Sequence, residues 1–471
     1  MRSFRRIIRR DLFNQSSSTS SLQHRAASAS KASQRPSLTA SVTASVSGSA
    51  ILLAVPATMS NSYSTAVTKR EFGVDPVPEE ARSKPHHQKN KDGTISMFRN
   101  THPSAGGPDF QEISPFLKKV FLASFSGALK GPNCENHKVV VQKPAFLPTR
   151  TSSSKLRATW LGHACYYVEY PSGLRVLFDP VFEDRCSPFT FMGPKRHTPR
   201  PCDIADIPVV DAVVISHSHY DHLSSPTVNE LAKRHPEAHF FVGLGLEKWF
   251  RSSGIERVTE LDWWETADMV LAPKAEGQDV KTPNESITAR FSCLPAQHNS
   301  SRRPGDYNTT LWCSWGVSSS SPSAPEARSV FFGGDTGYRH VPKVPAVEAD
   351  PKDDIYNPAA DWEPPYDKLP VNPGFAQIGD FRGPFDLGLI PIGAYRPRYL
   401  FSHVHANPFD AVDIFRDTKC KAAMGIHWGT WTLTAEELDE PPQLLKLALK
   451  RRGLPETGLF DVCNIGESRE F

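Results

Sequence analysis

Val209-Val210-Asp211-Ala212-Val213-Val214-Ile215 runs directly into Ser216-His217-Ser218-His219-Tyr220-Asp221-His222. The first seven residues are short, apolar and rich in β-branched side chains, the composition of a buried strand that stops where the polar cluster begins. His217 and His219 are two apart, so at an extended strand end both rings point to the same side and can grip one ion. Asp221 and His222 follow once the chain has turned, which lets them address a second ion close by. Imidazole and carboxylate together suit zinc, iron or manganese. A polar loop with chance histidines is the competing reading, and the density of ligands at a strand end weighs against it.

The cysteines add no thiolate site. Cys134, Cys165, Cys186, Cys202, Cys293, Cys313, Cys420 and Cys463 are scattered without a Cys-x-x-Cys pair, which reads as reduced packing residues, although Cys293 stands only five positions before His298. The 471 residues are 39% hydrophobic, enough for a sizeable core. The net charge of +3 is unevenly spread: residues 1–60 hold eight Lys/Arg and one acid, leaving 46 basic and 50 acidic residues beyond. A mildly acidic body gives no electrostatic case for nucleic acid as a partner. Residues 1–60, rich in Arg and Ser, read as a mitochondrial targeting segment or a disordered basic arm. The apolar run Ala50-Ile51-Leu52-Leu53-Ala54-Val55 is far too short to span a bilayer, and no transmembrane helix is evident.

Residues 61–137 read as an N-terminal polar segment followed by an amphipathic helix over 116–125, packing on or near a catalytic domain at 138–471. Strand signals begin at Val139-Val140-Val141 and strengthen at 156–161. The runs 165–170 and 174–178, separated by Pro171-Ser172-Gly173, predict a hairpin ending in Asp179-Pro180. Helical spacing returns at 225–235, followed by a strand at 239–242, a helix at 244–252 and a strand at 287–294. This alternation predicts an α/β fold with sheets covered by helices. The polar or Pro-rich stretches 273–286, 318–328 and 341–373 read as inserts looping over the surface.

Two ions need more ligands than one cluster supplies, and later strand ends provide them. Pro295-Ala296-Gln297-His298 follows one strand. Val330-Phe331-Phe332-Gly333-Gly334-Asp335 ends another in glycines and a carboxylate, where small residues let the backbone come close. Ala423-Met424-Gly425-Ile426-His427 repeats the pattern. Convergent strand ends are where α/β folds place their sites.

The His-x-His-x-Asp-His motif with these separate His, Asp and His strand ends resembles the metallo-β-lactamase superfamily. Thr159-Trp160-Leu161-Gly162-His163-Ala164, Phe178-Asp179-Pro180, Met192-Gly193-Pro194-Lys195-Arg196, Leu261-Asp262-Trp263-Trp264, Gly334-Asp335-Thr336-Gly337-Tyr338, Pro391-Ile392-Gly393-Ala394-Tyr395 and His427-Trp428-Gly429-Thr430 narrow it. They resemble the N-acylphosphatidylethanolamine-hydrolysing phospholipase D family over roughly residues 95–440. The resemblance implies a four-layer αβ/βα sandwich with two Zn2+ per chain. His217, His219 and His298 would hold one ion, Asp221, His222 and His427 the other, and Asp335 would bridge. His405-Ala406-Asn407-Pro408 fits the family's active-site histidine, with His403 two residues earlier as the rival. Asn100-Thr101-His102-Pro103-Ser104 departs from an expected Asn-Pro-Trp-Pro-Ser run.

Asp221, His405 and Asp179 are the candidate catalytic residues. Asp179 would orient ligands from behind, or else simply end a strand; His405 would contact the phosphate or assist the leaving group. Paired ions lower the pKa of a shared water and clamp a phosphodiester. The expected reaction is hydrolysis of N-acylphosphatidylethanolamine to N-acylethanolamine and phosphatidic acid by a mitochondrial protein attached peripherally to a membrane, with its phospholipid substrate as partner and a homodimer left open. Phe116, Phe121, Leu122 and Phe125 are candidates for lipid contact. Two alternatives stand: a lactonase or phosphodiesterase of a small soluble substrate, and a non-catalytic scaffold stabilised by zinc.

Overall fold

The computed structural model describes residues 63–106, 134, 136–151, 153–274, 285–342 and 362–471, together with Lys118 and Leu122. Along the chain the strands are β1 (Tyr63–Lys69), β2 (His87–Lys89), β3 (Ile95–Phe98), β4 (Arg157–Gly162), β5 (Cys165–Glu169), β6 (Arg175–Phe178), β7 (Ala212–Val214), β8 (His239–Gly243) and β9 (Val258–Leu261). The second half adds β10 (Thr266–Pro273), β11 (Ile287–Leu294), β12 (Ser314–Ser321), β13 (Ala324–Phe332), β14 (Phe385–Pro391), β15 (Cys420–Ile426), β16 (Phe460–Asp461) and β17 (Ser468–Glu470). Helices are α1 (Ser225–Arg234), α2 (Glu247–Ser252), α3 (Gly374–Phe381), α4 (Arg398–Phe401), α5 (Pro408–Asp417) and α6 (Glu440–Arg451).

Two sheets form the centre, in the orders β1-β10-β11-β12-β13-β14-β15-β16 and β17-β4-β5-β6-β7-β8-β9, with β2 and β3 pairing apart. Strand alternation decides what lies between them. Trp160, Tyr166 and Phe178 face the other sheet, where the Phe178 and Phe332 rings lie 4.9 Å apart and the Phe241 and Phe291 rings stack at 3.8 Å. Their neighbours Leu161, Tyr167 and Leu177 point the opposite way, into a second cluster with Val228 and Leu231 of α1 and Phe250 of α2. On the far side of the larger sheet, Phe409, Val412 and Phe415 of α5 and Leu445 and Leu449 of α6 join the main core. Helix, sheet, sheet, helix is the αβ/βα sandwich. α1 starts as its composition predicts: Ser224 caps it by accepting from the Thr227 N–H, and Pro226 occupies the first turn.

Direction explains why one edge is rich in function. β4, β5 and β6 are antiparallel and β6, β7, β8 and β9 parallel, so β4, β6 and β7 run the same way. In the larger sheet β11, β12 and β13 are antiparallel and β13, β14 and β15 parallel, so β11, β13 and β15 also share a direction. The C-terminal ends of these six strands carry His163, Asp179, the 217–222 segment, His298, Asp335 and His427.

Several expectations need correction. The stretch 318–328 is no surface insert: β12 and β13 form a hairpin turning at Pro322 and Ser323. Its serines tolerate the sheet because their hydroxyls are satisfied, Ser319 donating to the Thr288 carbonyl at 2.8 Å and pairing with Ser172 at 2.7 Å. The polar segment supplies β1, which adds to the larger sheet along β10 and buries Tyr63. Val139–Val141 makes only one bridge, Val141 to Ile465, rather than a strand. Within the first insert, Pro273 belongs to β10 and residues 275–284 lie outside the described residues. Within the third, residues 343–361 lie outside them, while Trp362 packs on Phe409 and Arg452. Of the expected helix at 116–125, Lys118 and Leu122 are described, both helical and exposed; Phe116, Phe121 and Phe125 lie outside the described residues.

Candidate metal centre

The strand ends bring every expected ligand together. The Nε2 of His217 and the Nδ1 of His219 are 2.8 Å apart, and the His298 Nε2 stands 3.2 Å from that same Nδ1. Beside this triad, the Asp221 Oδ2 lies 3.3 Å from both the His222 and the His427 Nε2 atoms. Asp335 reaches both groups: its Oδ2 is 3.1 Å from His222, 3.7 Å from His298 and 3.9 Å from His217, and its Oδ1 is 3.0 Å from His427.

The donors fit cations, and the hydrogen bonds behind them show why. The His298 Nδ1–H donates to the Val404 carbonyl at 2.9 Å, so its Nε2 presents a lone pair. The Ser216 hydroxyl donates to Asp179 at 2.5 Å and therefore accepts from the His217 Nδ1–H at 2.9 Å, which aims a second lone pair inward. His222 donates through Nδ1 to Asp179 at 2.6 Å, leaving its Nε2 buried without a hydrogen-bond partner and facing two carboxylates. Lone pairs aimed at one another and at carboxylate oxygens repel unless a positive charge lies between them. Zinc bonded to nitrogen or oxygen at about 2.1 Å holds its ligand atoms about 3.4 Å apart, close to the separations found here.

The electrostatics agree. Burial opposes charge on His217 and His298 and lowers both well below the usual imidazole value, the neutral form that binds metal. Burial also works against His427 and His222, yet Asp335 and Asp221 raise His427 to about 9 and lift His222 well above its ordinary value. Against their own burial, the neighbouring imidazoles hold Asp221 and Asp335 well below the carboxylate range. The second group therefore attracts a cation strongly, whether proton or metal.

Backbone conformation reflects this convergence. His163, Asp179 and His427 all have positive φ, of 52°, 37° and 65°, a region non-glycine residues seldom occupy except where function demands it. Gly334, at φ 56°, is indispensable in a second way, since a Cβ there would lie 2.5 Å from the Ser216 Cβ. The glycine-before-aspartate signal in the sequence thus has a steric cause.

Of the candidate catalytic residues, Asp221 stands among the candidate ligands and Asp179 sits behind them, accepting from Ser216 and His222. His405 faces the site: its Nδ1 is 4.0 Å from the Asp335 Oδ2, buried and without a hydrogen-bond partner. His403 pairs its ring edge-on with His340 at 6.1 Å, whereas His405 is the histidine grouped with His298 and Asp335. Cys293 belongs to the core.

Sequence reasoning passed over His163 as a site residue. Its Nε2 is 3.1 Å from the Asp221 Oδ2, and one ligand atom from each of His163, Asp221, His222 and His427 falls within 4.8 Å of all the others. It is held rigidly: its N–H donates to the Thr430 hydroxyl at 2.7 Å, and its carbonyl accepts from Trp160 Nε1 and from the His427 N–H. The signal was a histidine after glycine at a strand-to-strand turn, opposite the strand end that carries Thr430. Tyr220 is likewise fixed from outside, with the Arg302 guanidinium 4.1 Å over its ring.

Residues 174–350 match the family described as the β-lactamase superfamily domain. The chain is 36% identical over 323 residues to N-acyl-phosphatidylethanolamine-hydrolyzing phospholipase D 1 of Caenorhabditis elegans, covering 67% of this chain and 76% of that protein. An uncharacterized protein of Mycobacterium tuberculosis is 36% identical over 304 residues, 64% of this chain and 65% of its own length. The mitochondrial N-acyl-phosphatidylethanolamine-hydrolyzing phospholipase D of Saccharomyces cerevisiae is 30% identical over 299 residues, 63% of this chain and 53% of its own length.

Proposed function

Because the chain belongs to the N-acylphosphatidylethanolamine-hydrolysing phospholipase D family, and is a metal-dependent hydrolase of the metallo-β-lactamase superfamily, we propose that it performs that family's reaction with two zinc ions. N-acylphosphatidylethanolamine would be cleaved to N-acylethanolamine and phosphatidic acid. The observation that carries this reading is the pairing of two ligand triads across Asp335. Two cations held side by side supply an activated water and charge neutralisation to a phosphodiester.

The chain's own groups do the rest. His217, His219 and His298 would hold one cation, Asp221, His222 and His427 the other, and Asp335 would serve both. Asp179 and Ser216 keep His222 and His217 in the tautomer that points a lone pair inward. His405, which burial lowers to about 3, is neutral at physiological pH and offers its ring to the phosphoryl or leaving oxygen. Beside Gln297, a cavity of about 420 Å³ lined by Trp263, Trp264, His86 and His102 supports a substrate with apolar parts. The Arg- and Ser-rich residues 1–60 and the yeast relative's name support a mitochondrial location. Among the described residues no helix is long and apolar enough to cross a membrane, and we propose peripheral attachment.

The test is incubation of purified protein with N-acylphosphatidylethanolamine vesicles, with and without chelator, together with a metal count per chain. Chelator-sensitive release of phosphatidic acid and two zinc ions are expected. Turnover of a soluble phosphodiester with none on vesicles would instead favour a small soluble substrate.

A further inference from the structure

We propose that the hairpin 184–196, between β6 and β7, is the element by which this protein enters a phospholipid surface. Its neck is built by an antiparallel bridge between Arg185 and Lys195, with the Arg196 N–H on the Asp184 carbonyl at 2.8 Å and the Cys186 N–H on that of Pro194 at 3.3 Å. Gly193 closes the tip at φ 102°, where a Cβ would lie 2.6 Å from the Ser187 Cβ. The hairpin is thus a folded projection. What it projects is apolar: Phe189, Phe191 and Met192 are 46%, 77% and 55% exposed, and the two phenyl rings lie 5.5 Å apart. Other exposed large hydrophobic residues among those described stand singly along the chain, which needs no explanation. Three within four positions, held outward by a fixed turn, do need one.

The occupant follows from charge and position. Arg196 is turned inward onto the Glu183 carbonyl and Arg200 is paired with Asp203 at 3.2 Å, while Arg185 and Lys195 face each other across the neck and form a cationic collar beneath the apolar tip. That is the arrangement that seats apolar groups below a layer of phosphates while the collar meets them. The base of the hairpin adjoins the metal centre: the Arg196 guanidinium lies 4.4 Å over the Trp431 ring, and that ring lies 4.9 Å from the His163 ring. Cys186 packs with Val181 and Trp431 against Tyr220 of the ligand segment. A bilayer met by the tip would lie beside the candidate metal centre. The inference rests on the lipid substrate proposed above, and its test is separable because binding is read on vesicles that contain no substrate.

The full chain is sedimented with phosphatidylcholine vesicles at physiological salt, where the basic residues 1–60 gain no attraction from neutral lipid. The triple variant Phe189→Ser, Phe191→Ser, Met192→Ser should lose partitioning by tenfold or more, about the factor that burial of one phenylalanine supplies. Hydrolysis of bis(p-nitrophenyl) phosphate should stay at the wild-type rate, showing the fold intact. Lys195→Glu should weaken binding only when phosphatidylglycerol is added. In Phe191→Trp, vesicles of brominated lipid should quench the added fluorescence. Unchanged partitioning of the triple variant, or an unquenched Phe191→Trp, overturns the proposal, as does a hairpin that binds a protein and no vesicle.

Discussion

Asp179→Asn offers a sharp test of how the metal centre is held. One carboxylate oxygen accepts the Ser216 N–H at 2.7 Å; the other accepts the Ser216 hydroxyl at 2.5 Å and the His222 Nδ1–H at 2.6 Å. All three are donors and the carboxylate is buried. An amide of the same shape puts an NH2 where one oxygen was. If it replaces the first oxygen, two N–H groups collide. If it replaces the second, the serine must rotate and His222 must move its proton to Nε2, where it blocks the lone pair meant for the cation. Loss of a partner behind a ligand costs 10- to 100-fold in metal affinity, or about 1.4 to 2.7 kcal/mol. The assay is zinc competition against a chromophoric chelator, with His222 protonation followed by NMR. The weaker ion should lose affinity while the fold and its thermal transition with saturating zinc stay close to wild type. Affinity within about twofold of wild type for both ions would refute the reasoning.

Four further outcomes follow. His219→Ala and Asp335→Asn should abolish turnover, since one removes a ligand of the first triad and the other the bridge; wild-type rates in either would end the catalytic assignment. His163→Ala should weaken zinc by about tenfold through Asp221, read as a shifted competition curve with an unaltered circular dichroism spectrum. Chelation should lower the unfolding temperature, because ligand held a thousandfold above its Kd stabilises the folded chain by about 4 kcal/mol per site; a transition that ignores zinc would mean the residues hold none. Away from the candidate metal centre, buried Asp262 accepts from His86 at 2.7 Å and the Trp263 N–H at 2.8 Å, and its other oxygen is ion-paired with Lys84 at 2.8 Å beside His87 at 2.9 Å. Burial opposes its charge, yet His86, His87 and Lys84 hold its pKa far below the usual carboxylate range. Its contribution is therefore complete above about pH 4 and fades as acid reaches the lowered value. Asp262→Asn should be roughly 3 kcal/mol less stable at neutral pH, and denaturant titrations should show that gap narrowing only below pH 4.

The converging histidines and aspartates were legible because each ends an apolar strand, a pattern of period and polarity that survives without a structure. Ser318 to Ser321 misled for the opposite reason: a polar strand is indistinguishable from a loop until the partner serines and carbonyls that satisfy it are known. β1 was hidden likewise, since Ser64, Ala66, Thr68 and Lys69 are exposed and only Tyr63 is fully buried. The choice of His405 over His403 rested on motif; a two-residue offset between them carries no direction until the turn after α4 fixes which ring faces Asp335. His163 was quoted within a motif but not recognised, because its role depends on Asp221, 58 positions away, and on Thr430 at the other end of the chain.

Each half of the molecule completes the other's sheet. β1, from the beginning of the described chain, pairs with β10, while β17, from its end, pairs with β4, where the Thr159 and Ser468 hydroxyls meet across 309 positions. During synthesis the strand that leads to His163 must therefore wait, one edge bare, until residues 468–470 leave the ribosome. Chaperone demand should peak in that interval, and a fusion that tethers the C-terminal residues elsewhere should trap a nascent form before it can take up metal.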